Sequence, residues 1–167
     1  MPRGGTKASL IATSRAAAFG DIDNDGGIDI LVVNRDGPAH LLHNVVKQRG
    51  RWILFRILDE HGRDALGATL TLRVGSRVIT RDVRTTYSYC AANDPRIHVG
   101  LAEARAVQNV TVHWPDGATE HFGTFSAGPQ FVLRRNHGIA QTDPPPSGSR
   151  LARWPLPAPI APAKPPF

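Results

Sequence analysis

At 167 residues, 41% of them hydrophobic, the chain has the length and apolar share for one packed core with appendages, and 14 prolines with 16 glycines favour turns over helices. The net charge of +6 and pI near 10.4 permit anionic partners, but the basic residues are scattered and form no block. Cys90 is the only cysteine, which excludes an intramolecular disulfide and a cysteine-held zinc or iron–sulfur site within one chain; it is expected to be a small buried side chain. No apolar run is long enough to cross a bilayer, and the first residues lack the continuous apolar stretch of a signal peptide.

In chain order, residues 1–14 form a small, polar, flexible lead-in. A short apolar stretch (16–19) then enters "GDIDNDGGID", "IDILVVN" (28–34) is expected to be a strand, "RDGP" (35–38) a turn, and "AHLLHNVV" (39–46) a further strand. A linker (47–50) leads to "RWILFRIL" (51–58), apolar on both faces as in a strand covered on both sides. "ATLTLRV" (68–74) alternates, with Ala68, Leu70, Leu72 and Val74 on one face. Gly75-Ser76 suits a two-residue hairpin into residues 77–83. "LAEARAV" (101–107) offers at most one or two helical turns. "QNVTVHW" (108–114) alternates, "PDG" (115–117) turns it into residues 118–122, and "QFVLRR" (130–135) is the last expected strand. From residue 141 the chain is proline-rich without period and is expected to be a disordered tail. The expected fold is all-β: a blade or hairpin over 15–46, then an antiparallel sandwich or barrel-like domain over 51–136.

The acidic loop carries the chemistry. Asp21, Asp23, Asp25 and Asp29 repel one another unless a cation lies between them, and Gly26 supplies the bend through a positive φ. With the Gly27 carbonyl they form an all-oxygen set of flexible number, which suits Ca²⁺ better than Mg²⁺ and offers no nitrogen or sulfur for zinc. An EF-hand is excluded, because its twelfth position is Val32 here and the flanks are β-formers. The ion is expected to be structural, fixing the turn between two strands.

Catalysis finds little support. His113 and Glu120 can face each other across the turn with His121 nearby, but as a solvent-facing strand pair without a pocket. Ser88 lacks the Gly-x-Ser-x-Gly context, and no phosphate-cradling glycine loop is present. Nucleic-acid binding through the basic surface is the alternative reading. Trp52 and Phe55 have opposite parity on a strand and make no single stacking platform, so both, with Trp114, are assigned to core packing. Tyr87 and Tyr89 place a candidate contact loop within 84–96, and core packing accounts for them as well.

"AAAFGDIDNDGGIDILVVNRDGPAHLLHN" (16–44) resembles one blade of the FG-GAP or VCBS type, the calcium-carrying repeat of integrin-like propellers. "DALGATLTLRVGSR" (64–77), "NDPRIHVGLAEA" (93–104) and "VTVHWPDGATEHF" (110–122) resemble the ASPIC/UnbV domain of cartilage acidic protein-like chains. The resemblance spans residues 15–135 and puts the metal ligands on Asp21, Asp23, Asp25, the Gly27 carbonyl and Asp29. It implies no catalytic residues, recognition of a protein or glycan, and a place outside the cell or in its envelope; a complete chain without an export signal would be cytoplasmic. "TTYSYCAAND" (85–94) departs from the family's small, polar run. A single blade cannot close a propeller, so the chain is expected to be the C-terminal piece of a longer protein, or else its blade packs as an extra hairpin on the second domain.

Overall fold

The computed structural model describes residues 10–128, 130–138 and 140–142, all of whose regular structure is β. The expected lead-in falls largely on residues 1–9, outside the described residues. The expected tail begins inside the last strand, and its remainder, residues 143–167, also lies outside them.

A three-stranded antiparallel sheet comes first: β1 Ser14–Gly20, β2 Asp29–Asn34 and β3 His40–Leu42, in that order. The acidic loop joins β1 to β2, whose ends meet where Gly20 pairs with Asp29. Buried Asn34 closes the other end, taking a hydrogen bond from Ser14 Oγ (2.8 Å) and donating one to the Pro38 carbonyl (2.7 Å). β3 is shorter than the expected strand over 39–46. The amide of Asn44 donates to Asp29 Oδ1 (2.8 Å) and its side-chain oxygen accepts from the Val46 amide, which draws the chain off the ladder.

Two four-stranded sheets follow. One runs β11 (Ala140–Thr142), β10 (Gln130–Arg134), β4 (Arg51–Leu58), β7 (Ile97–Ala102); the other runs β6 (Arg77–Asp82), β5 (Thr69–Val74), β8 (Ala106–His113), β9 (Thr119–Ser126). All pairs are antiparallel except β4 with β10. The sheets share one core: Ile53, Phe55 and Ile57 from β4 meet Leu70, Leu72, Val110 and Val112 of the second sheet. Phe125 bridges them, edge-on to Phe55 (5.4 Å) and Phe131 (4.8 Å). This is an open sandwich, not a closed barrel. Gly75, at φ 59°, makes the two-residue β5–β6 turn that the sequence suggested.

Two expectations, on Cys90 and Trp52, are corrected, and the 101–107 segment takes a form of its own. Residues 101–107 contain no helix: Leu101 ends in β7, Ala102 takes a positive φ of 50°, and the Ala104 amide returns to the Leu101 carbonyl (3.0 Å) before β8 begins. Cys90 is exposed, as are Tyr87 and Tyr89, so none of them packs in the core. Trp52 is only partly buried and lies on the outer face of β4, stacked on His98 (5.8 Å between centroids), while Phe55 enters the core.

The outer face of β4 is covered as its sequence implied. Leu54 is 1% exposed and lines, with Phe19, Ile28 and Tyr87, a small cleft where the three-stranded sheet meets β4. Full burial of such a side chain is worth about 2 kcal/mol. The first sheet therefore docks on the sandwich.

Candidate metal centre

The loop between β1 and β2 is built around its own carboxylates. Asp21, 1% exposed, accepts the amide of Asp25 on one oxygen (3.1 Å) and that of Gly26 on the other (2.9 Å). Asp23 and Asp25 accept from the amides two residues on, Asp25 and Gly27 (3.2 and 2.8 Å), the local turn that aspartate favours. Asn24 and Gly26 bend the chain at φ 58° and 85°. Gly26 is also required by contact, since a Cβ there would lie 2.1 Å from the Trp52 indole nitrogen. Asp29, equally buried, receives the Ile22 amide (3.1 Å) and closes the loop on β2.

Asp21, Asp23 and Asp25 each present an oxygen within 4.8 Å of the others, and Asp29 belongs to a second such group with Asp23 and His43. Gly27 enters through its amide on Asp25. Thus the structure gathers three of the five expected ligands in one group and joins Asp29 through Asp23. His43 stands beside the oxygen set, with its Nε2 2.9 Å from Asp23 Oδ2. The β2–β3 register, with Ile30 opposite Leu42, brings it beside Asp29, and no local sequence signal marks it.

Cationic and polar groups from the rest of the chain enclose the loop. Arg49, on the linker, holds both Asp25 oxygens, and this hydrogen bond chiefly keeps the Asp25 carboxyl below the usual carboxylate range. Burial pushes the Asp21 carboxyl upward, against the two amides that stabilise its charge. Arg96 donates to the Asp21 carbonyl (2.7 Å) and to Asn24 Oδ1, and His98 Nε2 donates to the Gly26 carbonyl (2.9 Å). The "TTYSYCAAND" segment borders β1. Asn93 Oδ1 accepts the Phe19 amide (2.8 Å), the Asp94 amide donates to the Phe19 carbonyl (3.0 Å), and Ser88 Oγ accepts the Ala17 amide (3.3 Å). Converging carboxylates, one of them buried, fit a hard, oxygen-seeking divalent cation; a metal there would draw on Asp21, Asp23 and Asp25 and supply rigidity.

The remaining candidates do not assemble. His113 Nδ1 meets Thr119 Oγ1 (3.1 Å), whereas Glu120 accepts the Asn136 amide (2.9 Å), so the suggested His113–Glu120 pair is not formed. His121 bonds Thr111 (3.0 Å). A cleft of about 630 Å³ lies at the opposite end of the sandwich, between residues 59–66, the Trp114–Asp116 turn and Arg135. Its charges are already matched, Asp116 with Arg135 and Asp59 with Arg63. Among the described residues no helix is long and apolar enough to cross a membrane.

No curated protein matches the chain. The family comparison falls on the sandwich, from the loop after β4 to the first residue of β11, and includes the Asn93–His98 face that grips the acidic loop. Residues 59–140 match the family model described as ASPIC and UnbV.

Proposed function

We propose that this chain is a non-catalytic, calcium-binding recognition module that works outside the cytoplasm through protein or glycan contacts. The observation that carries the reading is the convergence of Asp21, Asp23 and Asp25 in a loop docked on the ASPIC/UnbV-like domain. Calcium fixes the loop, and the loop fixes the first sheet on the sandwich. The first sheet is read as one FG-GAP/VCBS-type repeat. In support, it leaves Leu31, Val33 and Leu41 open on the face turned away from Phe19 and the sandwich, as a sheet made to stack on a further neighbour would.

A thermal melt with and without calcium tests the reading, with Asp23→Asn as control because Asp23 is exposed and makes few structural contacts. At a hundredfold excess over the dissociation constant, calcium should stabilise the fold by about 2.7 kcal/mol. Extracellular calcium modules bind at about 10⁻⁴ to 10⁻³ M, which sets the range to scan. A melt equally indifferent to calcium in both proteins would refute the reading.

A further inference from the structure

Two arginines outside the acidic loop reach it from different directions and touch different atoms. Arg49 binds the carboxylate of Asp25, so it engages an oxygen pair that a metal would use. Arg96 leaves the carboxylates of the loop free and binds its frame instead, at the Asp21 carbonyl and the Asn24 side chain. Its anchorage is complete. Nε donates to Asp94 (2.8 Å), one terminal nitrogen is shared between Asn24 and Gln130, and the other spans the Asp21 carbonyl and Asp94. A guanidinium fork satisfied in this way is a fixed template, which an ammonium could not copy.

We infer that these arginines set the cation affinity of the loop in opposite senses: Arg96 raises it by holding the loop in its binding shape, and Arg49 lowers it by competing for Asp25. Arg96 is a positioning residue, and Arg49 is a tethered competitor whose release frees the 47–50 linker. The inference rests on the calcium reading above and adds that affinity is governed from the sandwich and the linker. Simple charge repulsion makes a different forecast. Both arginines carry one positive charge near the loop, so on that basis removing either would tighten cation binding.

Calorimetric titration of the whole chain with calcium separates the two accounts. Arg49→Gln should bind about fivefold tighter, the range expected when a partly exposed ion pair stops competing. Arg96→Lys, which keeps the charge and loses the fork, should bind about fivefold weaker, as expected for lost hydrogen bonds. Asn24→Gly keeps the positive φ, removes one of the two contacts that Arg96 makes to the loop, and should weaken binding in the same direction even if Arg96→Lys fails to fold. Tighter binding by Arg49→Gln with weaker binding by Asn24→Gly upholds the inference. Unchanged or weaker binding by Arg49→Gln, or unchanged or tighter binding by Asn24→Gly, overturns it while the calcium reading stands. Absence of calcium binding in the wild type and all variants overturns the calcium reading itself, and this inference with it.

Discussion

The sandwich and the three-stranded sheet are held by different forces. The sandwich buries a continuous apolar core in which Ile53, Phe55, Val107, Val110, Val112 and Leu133 are fully enclosed. The small sheet has one buried hydrophobic residue of its own, Ala16, and is held on its neighbour by amide, carboxylate and guanidinium contacts around the acidic loop, with Leu54 in the cleft where it meets β4. Burial is indifferent to ions, whereas charge-assisted contacts respond to salt, pH and metals. The division teaches where sensitivity to a ligand can reside in this molecule: in the sheet and its seam.

Breaking the sandwich should produce the largest effect. Phe55→Ala removes the ring that touches both Phe125 and Phe131 and should cost about 3–5 kcal/mol, read as a drop in denaturant midpoint. Asn93→Ala acts at the seam. It strands the part-buried Phe19 amide and leaves the Thr85 carbonyl only the backbone amide of residue 93, costs about 1 kcal/mol, and should speed amide exchange in β1 while leaving β5 and β8 protected. Acid should erode the sandwich more gently. The Asp59 carboxyl is held below its ordinary value of 3.8 chiefly by the Arg63 amide, and that of Asp116 by Arg135. Both therefore contribute stability above that value that is lost as the pH falls through their lower native values, so a melt series should decline below about pH 4. Ser88→Ala is the smallest change. Its long contact to the Ala17 amide is part-buried, and a loss of about 0.5 kcal/mol confined to β1 exchange is expected.

What the sequence disclosed follows the reach of each signal. The alternation of β5, the Gly75 hairpin and the doubly apolar β4 were legible because strand period and turn chemistry are local. The bend at Gly26 was legible too, but its packing on Trp52 was not. The parallel β4–β10 pairing joins residues more than 70 positions apart and leaves no local trace. Arg96 and His98 lie 72 or more positions from the loop atoms they bind, and only the docking of two sheets brings them there. Arg49 read as ordinary linker and Cys90 as ordinary core, because exposure and pairing in loops are decided by tertiary neighbours.

The central claim is that the acidic loop and the ASPIC/UnbV-like domain act as one calcium-responsive unit. Hydrogen exchange of the whole chain with and without calcium tests it most directly. The account predicts slower exchange in β1, in residues 21–29 and across the seam at residues 93–98, with the sandwich core unchanged. Protection confined to residues 21–29, or none anywhere, would contradict it.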